Sequence, residues 1–377
     1  MSWASSNYFV VVSLQPMLLG SLTDYGHFTL SAASLALSAN MLGALIGNVL
    51  TFLLLARVSA KTLIILGALA MTAFQLCAAR LPLTPGNFTL LMLGTGWGTG
   101  VLGSASWATV AVMERPTRVF AIMGAALVIT GAAAIYVAPH VVARFGLSGL
   151  LVGLAVAAAI VLPTVPFFFE PGVVGLRATE GDKAPTALGR GTALLILSLA
   201  LVYVANNATW AYLELIAKAA GLVGDQVGSA IAVGQLSAVA GSMWAARFEG
   251  VQARPAILVA LLFILVSTAA LIAVHNTVAM TLIVAAFMGA LSFAVPLYLA
   301  DLVNCDASGR LVVWGQVAIG VGLMVGPPAA SIVVESSSLK TMIWTASVVY
   351  LLSLALAALS FRLRPLPGTA LINSPVE

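Results

Sequence analysis

The sequence predicts an all-α membrane protein, with twelve transmembrane helices in two pseudo-symmetric six-helix bundles and both termini in the cytoplasm. Three observations predict it. The first is composition: 61% of the 377 residues are hydrophobic and 7% are charged, at a mean hydropathy of +1.10, too little polar surface to cover a water-soluble globule. The second is a series of twelve apolar stretches, six on either side of a polar break. The third is the placement of Lys and Arg between those stretches.

A spanning helix needs about 20 mostly apolar residues. In chain order the candidates are 8–25, 32–56, 62–80, 87–113, 119–142 and 147–169, then 192–217, 226–246, 255–274, 276–303, 311–334 and 341–361. Lipid offers no hydrogen-bond partners, so backbone that crosses it is helical or closes into a barrel. Unbroken runs such as Ala256 to Ile272 lack the alternation of a barrel strand. The apolar start, Met1 to Gly20, has no basic segment and no obvious cleavage site, and is expected to run into the first span rather than be removed as a signal peptide.

The longest polar stretch holds Arg177, Glu180, Asp182, Lys183, Pro185 and Arg190. It divides the chain into an N-terminal bundle (1–171), a cytoplasmic linker (172–191), a C-terminal bundle (192–364) and a cytoplasmic tail (365–377).

Basic residues in short loops favour the cytoplasmic side. One side receives Arg57, Lys61, Arg115, Arg118, Arg177, Lys183, Arg190, Arg247, Arg254, Arg310, Arg362 and Arg364, the other only Arg80, Arg144, Lys218 and Lys340. Twelve against four sets the orientation, because one missed or invented span would invert every later loop. These positives are scattered singly along helix ends and form no basic stripe, which argues against nucleic acid despite a net charge of +4. Cys77 and Cys305 lie in different halves without metal-ligand spacing. Neither a cofactor nor a metal site is expected.

The halves are related by an internal repeat. A shift of 190 aligns Asp24 with Glu214 and Arg57 with Arg247, and a shift of 191 or 192 aligns Gly124 with Gly315, Gly131 with Gly322 and Arg118 with Arg310. Repeats of this kind build many transporters, with the solute site near the bilayer midplane where the halves meet.

Two connectors carry an acid four residues before an Arg: Glu114 to Arg118 and Asp306 to Arg310. In these turns, and in the six-plus-six plan over essentially its whole length, the chain resembles the major facilitator superfamily. That family's signature between spans 2 and 3 is matched here by Arg57 and Lys61, while its Asp, Gly and middle Arg are Ala56, Ser59 and Ala60. The resemblance implies a cytoplasmic gate made of Arg57, Glu114, Arg118, Arg247, Asp306 and Arg310. Gly322 to Pro327 reads GxxxGP, similar to the antiporter motif of this family, but in helix 11 rather than helix 5. It inclines the expectation towards export.

An ionised side chain within the bilayer is costly, about 2.5–3.5 kcal/mol on insertion scales, so intramembrane acids mark functional candidates. Asp24, Glu214 and Asp301 are the proton-coupling candidates. Asp24 ends the face Pro16, Gly20, Asp24, and Glu214 ends the equivalent face Asn206, Trp210, Glu214. The resemblance implies that helices 1 and 7 line a central cavity. The bland alternatives are a wet carboxylate at the outer end for the first two and an interhelix bond for Asp301.

No Lys or Arg falls in the middle of a span, which disfavours a strongly anionic solute. The interior is instead aromatic and neutral-polar, including Asn40, Asn48, Gln75, Tyr203, Gln235, Trp314 and Gln316. The expected substrate contacts are Gln15, Trp97, Asn206, Asn207, Trp210 and Tyr298. Trp97, Gly100, Ser104 and Trp107 share one face of helix 4, where indoles and small residues suit a flat or greasy solute.

The expectation is a monomeric secondary transporter of a small, largely apolar, aromatic or cationic organic solute. It would be driven by protons, lean towards export, and reside as a multi-pass protein in a bacterial cytoplasmic membrane. Proton-coupled uptake of a small neutral or weakly acidic nutrient is the transport alternative, and a non-transporting scaffold on the same fold is the alternative of another class. An enzyme is not expected: no GxxxxGK[ST], HExxH or GxSxG occurs, and the three histidines are dispersed.

Overall fold

A computed structural model describes residues 10–55, 57–111, 116–167, 189–248, 252–305 and 310–364. It is an all-α membrane protein. The helices are α1 (Gln15–Asp24), α2 (Leu30–Leu54), α3 (Ala60–Arg80), α4 (Pro85–Ala111), α5 (Pro116–Ala159), α6 (Arg190–Ala211), α7 (Leu213–Ala219), α8 (Asp225–Ala245), α9 (Ala253–Ala270), α10 (Thr277–Cys305), α11 (Arg310–Ser336) and α12 (Leu339–Leu363). Among the described residues, nine helical segments are long and apolar enough to cross a membrane.

The elements follow the expected spans with two informative differences. The helical stretch α5 takes up two spans at once, broken only at Gly146, whose φ of 63° and ψ of −165° are non-helical. A left-handed φ costs glycine little, so one residue suffices where a connector was expected. The seventh expected span, 192–217, is instead two helices, because Tyr212 between α6 and α7 leaves the helical region at φ −98°, ψ 3°. Helix starts follow local chemistry elsewhere: Thr29, Ser59 and Ser338 each accept a hydrogen bond from the backbone N–H three residues on.

Packing is heaviest within residues 10–167 and within residues 189–364. In the first group α2 and α3 pack on α4, and α3 packs on α5; in the second α6 packs on α11 and α12, and α10 on α8 and α9. Across the groups α2 meets α11, α5 meets α8, and α1 meets α6 and α7. Helix α1 has no lipid face, since every residue from Gln15 to Leu22 is buried. Without a hydrophobic drive between helices in lipid, contact comes from close packing and interhelix hydrogen bonds. Gly43 and Gly47 of α2 meet the α4 backbone, and Gly96 and Gly100 of α4 meet the α2 backbone, with no room for a side chain.

Two expectations are corrected by this packing. Trp314, placed in the interior by sequence, is 59% exposed. The face of α4 read as a solute platform is largely spent on α2: Gly100 abuts Ala44, and Ser104 donates to Asn48 Oδ1 at 2.8 Å. Trp107 lies in α4, and its side chain is outside the described residues.

Candidate functional site

The two faces that end in Asp24 and Glu214 meet each other. The Trp210 indole N–H donates to the Val12 carbonyl at 3.1 Å. One turn further on, a Cβ on Gly20 would lie 2.5 Å from the Glu214 carboxyl carbon, so the carboxyl fills the space the glycine leaves. Beyond that, Lys218 Nζ lies 2.6 Å from Asp24 Oδ2 and 2.6 Å from Glu214 Oε1. Lys218 entered the sequence reading only as a topology marker, yet it bridges both matched acids and ties the halves together. Further ties lie at the same, predicted outer, end. Ser31 N–H donates to Glu335 at 2.7 Å, the Ser34 and Tyr212 hydroxyls are 2.8 Å apart, and His140 Nε2 is 3.3 Å from Asp225.

Glu214 sits on α7, beyond Ala211 where the span ends. Burial pushes its carboxyl up from 4.5 to about 7, against the pull of Lys218. A carboxyl whose folded pKa is raised holds its proton more tightly folded than unfolded. Its contribution to stability is therefore greatest below about 4.5 and falls as pH rises through about 7. The thermal midpoint of the purified protein is expected to fall across that window, and to fall less in Glu214→Gln. Parallel pH profiles for the two proteins would remove Glu214 as the source.

Below this triad lies a cavity of ≈330 Å³ where the N-terminal half, through Val12 and Ser13, meets the C-terminal half. Its polar wall is Asn206, Asn207, Tyr203 and Trp210 of α6, Gln235 and Ser242 of α8, and Ser292 of α10; Met288, Leu291, Val295, Pro296, Ile319 and Leu323 supply the apolar remainder. None of these lining residues carries a formal charge.

Proline shapes three of the lining helices. A proline removes the hydrogen bond to the carbonyl four residues earlier, so Pro16, Pro296 and Pro327 free the carbonyls of Val12, Ser292 and Leu323. A side chain from a neighbouring helix caps each one: Trp210 on Val12 at 3.1 Å, Ser242 on Ser292 at 3.3 Å and Asn207 Nδ2 on Leu323 at 2.5 Å. Such compensation lets proline persist in membrane helices.

Of the expected contacts, Asn206, Asn207 and Trp210 line the cavity. Gln15, Trp97 and Tyr298 do not. Gln15 is buried elsewhere in α1, and Trp97 is half-buried in α4, its backbone against Gly43 and Gly47. The Tyr298 hydroxyl meets Ser198 at 2.8 Å, and Ser198 in turn meets Ser353, within the C-terminal half. Tyr298 was expected as a contact because it is an aromatic of the interior, but its side of α10 is turned to α6 and α12. Tyr203 and Gln235 were legible as interior polar groups but not as wall; Ser13, Ser242 and Ser292 were missed. The signal for Ser292 was the proline four residues on.

Asp301 is 2% exposed and bound by two guanidiniums, Arg254 Nε at 3.2 Å and Arg364 Nη2 at 2.5 Å. Both guanidiniums also lie over the Phe361 ring, at 5.6 and 5.5 Å from its centroid, and Arg254 donates to the Arg364 carbonyl. The cluster ties α9, α10 and α12. Of the expected cytoplasmic gate, Arg57 and Arg247 are exposed. Glu114 and Asp306 lie outside the described residues, as do the side chains of Arg118 and Arg310.

Residues 195–375 match the family model of the Major Facilitator Superfamily. No curated protein matches the sequence. Among solved structures, the fold is similar to a D-xylose-proton symporter at a TM-score of 0.78 and 13% identity, covering 97% of both chains. It is similar to the nucleoside transporter NupG at 0.77 and 14% identity, covering 97% of this chain and 99% of that one. It is likewise similar to the inward open conformation of the xylose transporter XylE from E. coli at 0.77 and 12% identity, covering 98% and 95%. At these identities the likeness is one of fold.

Proposed function

We propose that the chain, whose residues 195–375 match the model of the Major Facilitator Superfamily, is a transporter of that family rather than an enzyme and carries a small, uncharged, ring-bearing solute inwards with protons. The observation that carries this reading is the cavity wall, built of amides, hydroxyls and aromatics without a formal charge. A charged solute would be desolvated there with no counter-charge, at a cost of several kcal/mol. This moves the expectation away from a cationic solute and towards a neutral one. The wall offers Trp210 and Tyr203 as flat surfaces and Asn206, Asn207 and Gln235 for orientation. Similar folds are titled transporters of D-xylose and of nucleosides, solutes of this neutral, ring-bearing kind.

The proton is assigned to Asp24, Lys218 and Glu214. They lie at the outer end of the cavity, on the seam between the halves, so proton exchange there acts on the contact that opens and closes. Asp301 is set aside from this role, because its two guanidinium partners hold it as a structural anion. Support for export weakens as well: Gly322 and Gly326 pack against Tyr203, Val204 and Asn207 of α6, so the GxxxGP pattern serves helix packing here.

In proteoliposomes with an inward proton gradient, a pentose, hexose and nucleoside panel is expected to contain a solute whose accumulation an uncoupler abolishes. Trp210→Ala and Asn206→Ala are each expected to lower that accumulation tenfold or more, by losing about 1.4 kcal/mol or more of binding. Accumulation that ignores the uncoupler, or that both variants support like wild type, would sink the proposal.

A further inference from the structure

We infer that His140 and Asp225 form a proton-dependent clasp between the two halves, made when both ring nitrogens of His140 carry a proton and released when only one does. The clasp is separate from the cavity and from Asp24, Lys218 and Glu214. It needs only that the halves part at this end.

The ring's own bonds carry the argument. His140 Nδ1 lies 3.2 Å from the Tyr136 carbonyl oxygen, one turn back on α5. A carbonyl only accepts, so Nδ1 bears the hydrogen in that bond. In a neutral imidazole the other nitrogen is then a bare acceptor. That nitrogen, Nε2, lies 3.3 Å from Asp225 Oδ1, and two acceptors repel. The contact becomes a bond only when Nε2 is protonated too, which sets an imidazolium beside a carboxylate.

The position of the pair gives this bond its leverage. His140 stands on α5 of the N-terminal half and Asp225 in the first turn of α8 of the C-terminal half. The two helices abut beside it: a Cβ on Gly228 would lie 2.7 Å from Pro139 Cγ and 3.1 Å from the Ile135 carbonyl oxygen. The His140 and Asp225 side chains are 45% and 72% exposed, so the ring exchanges protons with solvent directly. The helices packed on α5 are α1, α3, α4 and α8, and they bring few other ionisable groups to this end. Asp225 is the one such residue on α8, and α4 has none. Helix α1 and the turn after it bring Asp24, Tyr25 and His27, with Asp24 bound by Lys218, and α3 brings Cys77 and Arg80. On α5 itself Arg144 follows one turn later, and the Tyr136 ring lies 5.7 Å from the imidazole.

The test reads the halves away from the pair, at the contact of α2 with α11. Full-length protein in lipid nanodiscs carries spin labels at Leu35→Cys and Ser337→Cys, both exposed positions, with Cys77→Ser and Cys305→Ser. Pulsed electron paramagnetic resonance gives the label distances at about pH 5 and about pH 8, the bounds between which histidine ordinarily changes charge. This parent is compared with His140→Gln, Asp225→Asn and the two combined. At about pH 5 each single variant is expected to lower the ratio of short to long distances about two- to fivefold, the range of an exposed ion pair, and the double variant no further than a single one. At about pH 8 all four proteins are expected to coincide. Every other titrating group is common to the four, so the comparison cancels its effect. Variants that match the parent at about pH 5, a loss as large at about pH 8, or losses that add in the double variant would overturn the inference.

Discussion

Asp301→Ala is expected to destabilise the purified protein by about 3–5 kcal/mol, the cost of breaking a buried pair so that its partners stay charged and uncompensated. Two guanidiniums depend on this carboxylate, and the side chains of Arg254 and Arg364 are 8% and 9% exposed. Solvent therefore screens little of the loss. Asp301→Asn keeps hydrogen-bonding capacity without charge and is expected to fall between. Replacing the cluster together, Asp301→Leu with Arg254→Met and Arg364→Met, is expected to recover much of the stability, since apolar isosteres remove the desolvation cost along with the attraction. Denaturant unfolding followed by tryptophan fluorescence measures all three. A single alanine variant within about 1 kcal/mol of wild type would show that the cluster is wet and weak.

Gly96→Ala is expected to be the most damaging single methyl in the N-terminal half. A Cβ there would overlap the Asn40 carbonyl oxygen, a backbone atom that cannot swing aside as a side chain does. Gly43, Gly47 and Gly100 meet the same restriction along the α2–α4 crossing. Overpacking costs about 1–3 kcal/mol where side chains can shift, and a backbone obstacle puts Gly96→Ala at or above the top of that range. Gly153 in α5 is the control, since nothing lies within 4 Å of its Cβ position. There alanine is expected to be neutral or to stabilise by about 0.5–1 kcal/mol through helix propensity. Equal thermal midpoints for the two variants would refute the close crossing.

The site was partly legible because helical spacing is local. Asn206, Asn207 and Trp210 stand on one helix, and their clustering within a few residues marked them before any neighbour was known. Tyr298 shows where that reasoning fails. Its helix passes beside the cavity, and the side it takes is set by Ser198 and Ser353, a hundred and fifty-five positions apart from each other in the chain. Lys218 was visible as a charge but not as a bridge, because its partner Asp24 lies 194 residues away.

The sequence by itself determined membrane residence, the helical class and the acids worth watching. Those follow from apolar run length, backbone hydrogen bonding in lipid and the cost of burying charge, all of which are read one segment at a time. Only the tertiary structure decided that the two matched faces abut, that Lys218 joins their acids, that Asp301 serves two arginines and that three proline-freed carbonyls are each capped from a neighbouring helix. Each is a contact between segments far apart in the chain, fixed by which helices pack together, and helical periodicity carries no record of the partner.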